Sequence, residues 1–359
     1  RGLVVIFLST ILFDAYDATS TPIIGGQMSK TRGIIKQLEQ EYPGQIMSVD
    51  TSNWKKEVFS LILQCFEVAN QCDVVIVMPN KNGIKFVLPF FALLKGIKRY
   101  KMAYPIVGGW LTGLLKKHRY LAWAFKKVNY LLPETKQLME ELKKFTDAPI
   151  DVMSIFSTRK PLKLESLDFD AQIPFKFCTF SRVTPTKGID DAIEAIANVN
   201  QSVDGLLCKL DVWGPIEEKY SDHYKKIFEK NKEFATYKGL ITSDEGLEKL
   251  SEYYMMLFPT YYPGEGFPTA ICESFMAGLP VIASDWRFNN ELVENKETSF
   301  LIPVHDVDGI ARCIDYAINH REDINKMKTK CLMISEQFKP VEVMRNLDFW
   351  IRKEHNFGK

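Results

Sequence analysis

The chain has 359 residues, 46% apolar and 25% charged, with a formal net charge of +1. That composition excludes a disordered, collagen-like or disulfide-scaffold protein, and the length accommodates two domains of ordinary size. The balance hides an asymmetry: residues 1–160 hold 22 Lys/Arg against 13 Asp/Glu, and the remainder holds 24 against 32.

The basic excess is sharpest between Asp73 and Glu134, sixty residues with eleven Lys/Arg and no acid. Such a stretch attracts an anionic partner. No reading motif accompanies it, so nucleic acid is not expected as that partner. The seven cysteines are odd in number, scattered and never in a C-x-x-C pair, as in a reducing cytoplasm, and they offer neither a disulfide framework nor a zinc site. The longest apolar run, around Phe86 to Leu94, contains Pro89 and is too short to span a bilayer. Leu3–Leu8 lacks a cleavage site and reads as a first strand rather than a signal peptide.

Apolar runs at Leu3–Leu8, Gln45–Val49, Val74–Met78, Ala103–Val107, Asn129–Leu132 and Val152–Ile155 alternate with amphipathic stretches. These lie near Ser29–Gln40, Trp54–Ala69, Ile84–Leu94, Leu111–Lys127 and Glu134–Phe145. The alternation predicts βαβ units and a mostly parallel sheet. Gly25-Gly26 precedes the first helix and Gly108-Gly109 follows the fourth strand. Paired glycines at these places let a phosphate or a sugar ring approach the backbone, or simply make a turn. Trp110 follows the second pair, as the wall of a sugar site or as core.

Read as one helix, Leu111–Lys127 places Leu111, Leu114, Leu115, His118, Leu121, Ala122 and Phe125 on one face. Lys116, Lys117, Arg119, Lys126 and Lys127 fall on the other face or its flanks, with Tyr120 and Trp123. Rings among cations suit the headgroup layer of an anionic membrane; a solvated basic helix is the plainer alternative. Such electrostatic binding should be released by moderate salt.

Ser157–Pro174 has little periodicity and reads as a linker; its Asp168-Phe169-Asp170 is not expected to hold metal. The second half restarts with a strand, Phe175–Phe180, and a loop carrying Arg182 and Lys187, two cations that can converge on one diphosphate. Helix Ile189–Val199 follows, then strands at Lys209–Val212, Thr236–Lys238, Met255–Phe258, Val281–Ala283 and Phe300–Ile302. A final amphipathic stretch, Val341–Ile351, follows Pro340 and could return to brace the first domain.

Between the strands at Met255 and Val281 runs a Gly-rich turn and a short helix, with Thr269 able to cap it. Glu265 sits in the turn and Glu273 inside the helix. Carboxylates read sugar hydroxyls and first-turn amides read phosphate, so a nucleotide-sugar is a natural guest; a capped turn with two solvated Glu is the bland alternative.

Three motifs of the second half, over about residues 175 to 320, resemble those of the retaining GT-B glycosyltransferases of family 4 (group 1). Phe180-Ser181-Arg182 with Lys187-Gly188 is similar to the family's phosphate loop. Trp213-Gly214 with Lys238-Gly239-Leu240 is similar to its paired glycine segments. Glu265-Gly266-Phe267-Pro268 with Glu273-Ser274 and Ala277-Gly278-Leu279-Pro280 is similar to its E-x7-E region. The resemblance implies an α/β GT-B fold, two Rossmann-like doubly wound domains facing a central cleft. Residues 1–160, completed by the C-terminal helix at about 338–359, would be the acceptor-binding domain and 171–337 the nucleotide-sugar-binding domain.

By the same resemblance Arg182 and Lys187 would hold and stabilise the departing diphosphate. Glu265 would contact donor sugar hydroxyls and Glu273 the ribose. The backbone of Gly214, Gly266, Phe267, Pro268 and Thr269 would line the donor, Leu240 would read the base, and Gly25-Gly26 would stand at the first-domain glycine loop. Many members carry a His where this chain reads Gly108-Gly109-Trp110, so no catalytic His carries over, and these three are acceptor-side candidates. The expected protein is a metal-independent retaining hexosyltransferase, peripheral on the cytoplasmic face of the plasma membrane. It would take a UDP-sugar, or next GDP-mannose, and a lipid-linked glycan acceptor of capsule, exopolysaccharide or O-antigen synthesis. A soluble small-glycoside glucosyltransferase or nucleotide-sugar epimerase, and a non-catalytic partner subunit, are the alternatives.

Overall fold

The computed structural model describes residues 5–9, 26–50, 58–241 and 246–356. It divides into two compact units, residues 1–158 with 339–359, and residues 159–338.

The first unit is built on β1 (Val5–Ser9), α1 (Gly26–Glu41), β2 (Ile46–Asp50), α2 (Val58–Gln71), β3 (Val74–Met78), α3 (Ile84–Leu94) and β4 (Lys101–Ile106). It continues with α4 (Leu111–Lys117), α5 (Arg119–Phe125), β5 (Tyr130–Pro133) and α6 (Lys136–Leu142). The sheet order is β2-β1-β3-β4-β5 with every pairing parallel. The run Val74-Val75-Ile76-Val77-Met78 is buried throughout, as a central parallel strand covered on both faces requires.

Two expectations fail here. The helix read as Leu111–Lys127 is two helices, because His118 is extended (φ −125°, ψ 101°) and its carbonyl accepts from Leu121 and Ala122 to start α5. Both pieces turn their apolar residues inward, with Leu111, Leu115, Leu121 and Phe125 buried, so periodicity does not register a one-residue break. The strand expected at Val152–Ile155 does not form. The chain bonds to β5 through the Asp151 and Met153 amides and makes one bridge, Leu131 to Ile150, then turns in to bury Met153, Ile155 and Phe156.

The second unit contains β6 (Phe175–Phe180), α7 (Ile189–Gln201), β7 (Cys208–Trp213), α8 (Ser221–Lys230), β8 (Ala235–Gly239), α9 (Gly246–Ser251) and β9 (Met255–Phe258). It closes with α10 (Thr269–Met276), β10 (Val281–Ser284), α11 (Asn289–Leu292), β11 (Ser299–Ile302), α12 (Val307–Asn319) and α13 (Arg321–Ser335). Its parallel sheet runs β11-β10-β9-β6-β7-β8. Its core gathers Phe175, Phe177, Ile189, Ile193, Leu210, Tyr254 and Leu257.

The segment read as a linker is seated on this unit. Leu162 N–H donates to Met276 O, Lys328 Nζ to Asp168 O and Asn325 to Phe169 O. Asp168 also accepts from the Asp170 amide in its own turn. Beyond the second unit the chain forms α14 (Pro340–Asn356), whose Met344, Leu347, Trp350 and Ile351 lie in the core of the first unit with Ile34, Leu38 and Tyr130. Among the described residues no helix is long and apolar enough to cross a membrane.

Candidate active site

The loops at the carboxyl ends of β6, β7 and β9 form one constellation, and two glycines let them close on each other. Gly188 is left-handed (φ +69°), and a Cβ there would sit 2.1 Å from Pro259 O. Gly214 has φ +131°, and its Cβ would sit 1.7 Å from Ser181 O. Neither position admits a side chain. Gly214 N–H donates to Gly239 O at 2.8 Å, so the Trp213-Gly214 and Lys238-Gly239 segments are tied directly. Leu240 follows them and is exposed.

Lys187 ends the β6 loop and is buried, with Nζ 2.6 Å from Glu265 Oε2. Thr260 Oγ1 donates to the same oxygen at 2.8 Å. Arg182 is more exposed; its Nη1 bonds Glu217 Oε1 at 2.8 Å. Both cations lie against the Tyr262 ring, Arg182 at 5.3 Å and Lys187 at 5.2 Å from its centroid, the range of cation–π attraction. Trp286 Nε1 holds the Tyr262 carbonyl at 2.8 Å. The two cations therefore meet on one ring, and each already has a carboxylate partner, Glu217 for Arg182 and Glu265 for Lys187, which the sequence reading did not include.

The turn Pro263–Pro268 then enters α10. Thr269 does not cap this helix: Pro268 holds the N-cap position without a side-chain bond, and Thr269 is the first helical residue. The amides of Ile271 and Cys272 both donate to Pro268 O, so among the described residues Thr269 and Ala270 keep first-turn N–H groups without an acceptor. Phe267 and Pro268 are buried and Gly266 partly so. Glu273 lies 3.4 Å from Arg159 Nη1. Burial pushes its carboxyl above the usual range, and Arg159 opposes the shift. Gly246 leaves room for that Arg, since a Cβ there would lie 2.4 Å from Nη1.

In the first unit, Gly108-Gly109-Trp110 follows β4, and Gly108 is left-handed (φ +80°). The Gly108 amide donates to Glu134 Oε2 at 3.0 Å. Glu134 Oε1 receives Lys30 Nζ at 3.1 Å, and Lys30 also donates to Met153 O at 2.9 Å. Lys30 is fully buried; burial lowers its pKa, with Glu134 opposing. Gly26 begins α1, and Gly25 lies outside the described residues. Lys116, Lys117, Arg119, Tyr120, Trp123, Lys126 and Lys127 are all exposed on α4, α5 and the turn after them.

Sequence reasoning missed Thr260, Tyr262, Arg159 and Trp286 as members of the second-unit constellation, and Lys30 and Glu134 in the first. Tyr262 had a readable signal, an aromatic opening the Gly-rich turn. A single Lys in a polar helix gives none.

Residues 170–331 match the family described as Glycosyl transferases group 1. An uncharacterized glycosyltransferase of Haemophilus influenzae is 28% identical over 141 residues, a match that spans 36% of this chain and 40% of that relative's length. Among solved structures, Anabaena Alr3699/HepE in complex with UDP aligns with a TM-score of 0.72 at 14% identity, covering 98% of this chain and 100% of its own. Sucrose-phosphate synthase of Thermosynechococcus elongatus aligns at 0.73 and 13%, covering 98% and 99%. The lipopolysaccharide outer core galactosyltransferase WaaB aligns at 0.66 and 14%, covering 98% and 100%. Residues 170–331 thus resemble the group 1 glycosyl transferases, and the whole chain shares the fold of these solved structures.

Proposed function

We propose that the protein is a retaining hexosyltransferase that moves a sugar from a UDP-sugar to a lipid-linked glycan acceptor at an anionic membrane surface. The observation that carries this reading is the meeting of Arg182, Lys187 and Glu265 around Tyr262 at the carboxyl edge of the second sheet. Arg182 and Lys187 supply positive charge where a diphosphate leaves, and the Thr269 and Ala270 amides add donors beside them. Both bonds to Glu265 fall on Oε2, so Oε1 is available to a sugar hydroxyl. Glu273 takes the ribose, and Leu240 and Gly214 border the base. UDP as the nucleotide is supported by the relatives of this fold solved with UDP or UDP-glucose.

In the reaction, the acceptor hydroxyl oxygen bonds to the anomeric carbon on the face from which the diphosphate departs. The carbon–oxygen bond to the β-phosphate breaks, and the acceptor's proton passes to that phosphate oxygen. The charge developing on the diphosphate is met by Arg182 and Lys187, which is differential stabilisation of the transition state. Gly108-Gly109-Trp110 is the first-unit loop for the acceptor, and Glu134 and Lys30 hold its backbone. The exposed cations of α4 and α5 bring the enzyme to anionic lipid, where that acceptor resides.

Thermal-shift measurements with UDP, GDP and ADP, followed by donor hydrolysis across a panel of UDP-sugars, test the reading. Stabilisation by UDP above the other two, with hydrolysis of at least one UDP-sugar, is expected. Failure to bind any nucleotide would favour a non-catalytic partner subunit instead.

A further inference from the structure

The order β2-β1-β3-β4-β5 with parallel pairing and right-handed crossovers puts α2, α3 and α4–α5 on one face of the first sheet. Contacts join this layer: α3 packs on α5, and Lys98, just past α3, holds Nζ 5.4 Å from the centroid of the Phe66 ring on α2. The outer surface of the layer carries a run of exposed apolar side chains. On α2, Phe59, Ile62, Leu63 and Phe66 recur at i, i+3, i+4 and i+7 and are all exposed, although that spacing ordinarily marks a core face. Leu93 on α3 and Ile97 after it continue the surface; Phe59, Leu63, Leu93 and Ile97 are 64–84% exposed. Tyr120 and Trp123 on α5 complete it at 47% and 43%.

From this we infer that the helical layer α2–α3–α5 inserts side chains into the acyl boundary of an anionic bilayer, rather than resting on headgroup charge alone. The occupant follows from charge. Every ionisable carboxylate or cation from Val74 through Pro133 is a cation, eleven in sixty residues, and they surround α3 and α5; Glu67 on α2 and Asp73 stand at the margin. A protein partner's apolar groove would not need that uniform sign, whereas an anionic lipid surface matches it while the exposed Phe, Leu and Ile enter below the headgroups. The inference rests on the membrane part of the proposed function and is independent of its donor chemistry. It also revises the sequence expectation that moderate salt releases the protein: the apolar contribution is insensitive to screening.

The test uses the full chain and flotation with phosphatidylcholine vesicles, with and without phosphatidylglycerol, in low salt and at about 1 M, where the Debye length is about 3 Å. The variants are the fourfold Phe59→Ser, Leu63→Ser, Leu93→Ser, Ile97→Ser and the threefold Lys116→Glu, Lys117→Glu, Arg119→Glu. Wild type is expected on phosphatidylglycerol vesicles in low salt with a fraction still bound at high salt. The fourfold variant should lose binding by about a hundredfold or more, and the charge variant should lose chiefly the salt-sensitive part. Circular dichroism and melting of the fourfold variant should match wild type, since its sites are exposed. Donor hydrolysis in solution, measured in parallel, reports the catalytic reading separately and should be unchanged in this variant. Equal vesicle binding by wild type and the fourfold variant overturns the inference, as does absence of wild-type binding to either vesicle. A wild-type oligomer that the fourfold change dissociates, with vesicle binding untouched, would reassign the face to a protein interface.

Discussion

Lys187 Nζ and Glu265 Oε2 stand 2.6 Å apart with each side chain 9% exposed, joining two loops separated by 78 residues. A buried pair of this kind is held by its completeness, because removing one member leaves the other charge without compensation. Lys187→Met should therefore destabilise the protein by about 3 kcal/mol in urea denaturation, and Glu265→Leu similarly. The double variant should be less unstable than the sum of the two. Additive losses would mean the pair is not coupled.

Arg182 presents the opposite case. Its pair with Glu217 is exposed at 43% and 31%, so Arg182→Ala should change stability by less than about 1 kcal/mol. Loss of a donor to the departing diphosphate should still lower kcat about 100-fold. Turnover within about threefold of wild type, far below that typical effect, would remove Arg182 from the chemistry.

Glu273 supplies a pH dependence. Its folded carboxyl sits above the ordinary value of 4.5 because burial disfavours the charge. A group raised on folding binds its proton more tightly in the native state, so its contribution is present at low pH and fades as pH rises through the folded value. Glu273→Gln should therefore gain stability relative to wild type as pH is raised from 4.5 upward. Melting curves across that window check the sign. The same variant should bind UDP more weakly at neutral pH.

Two glycines in the tied segments should respond differently to alanine. At Gly214 the new Cβ would overlap Ser181 O at 1.7 Å and the backbone is at φ +131°, so Gly214→Ala should cost about 3 kcal/mol or more and disorganise the loop. Gly239 has φ +79° with nothing within 4 Å of a Cβ, so Gly239→Ala should cost only the left-handed strain, about 1–2 kcal/mol. Equilibrium unfolding of both variants gives the comparison.

The fold class was legible because both sheets are parallel and their central strands are buried. Runs such as Val74–Met78 and Val281–Ala283 are continuously apolar, and Gly or Pro punctuates their ends. Helix Ile84–Leu94 is found at the bounds its apolar run sets. The break at His118 was not legible, since no Gly or Pro marks it and both helical pieces keep the same inward face. In the candidate site, Arg182, Lys187, Glu265 and Glu273 could be picked out by type and spacing. Most of their partners could not: Glu217 and Arg159 reach Arg182 and Glu273 from other segments through tertiary contact alone, and Thr260 bonds Glu265 within one loop with no motif to mark it. The exposed face of α2 misleads in another way: its i, i+3, i+4, i+7 spacing is that of a core helix, and only the packed structure shows it facing outward.

The placement of α14 bears on how the protein is made. Its Met344, Leu347, Trp350 and Ile351 are buried among residues of the first unit, and residues 159–338 intervene in the chain. On a ribosome, the second unit therefore has all its residues in hand before the first has its last wall. The usual order in which an amino-terminal domain finishes first is reversed. A nascent chain halted between residues 159 and 339 already holds β1 to β5 but lacks α14, which leaves Ile34, Leu38 and Tyr130 without the helix that packs with them, a surface for a chaperone to hold until synthesis is complete.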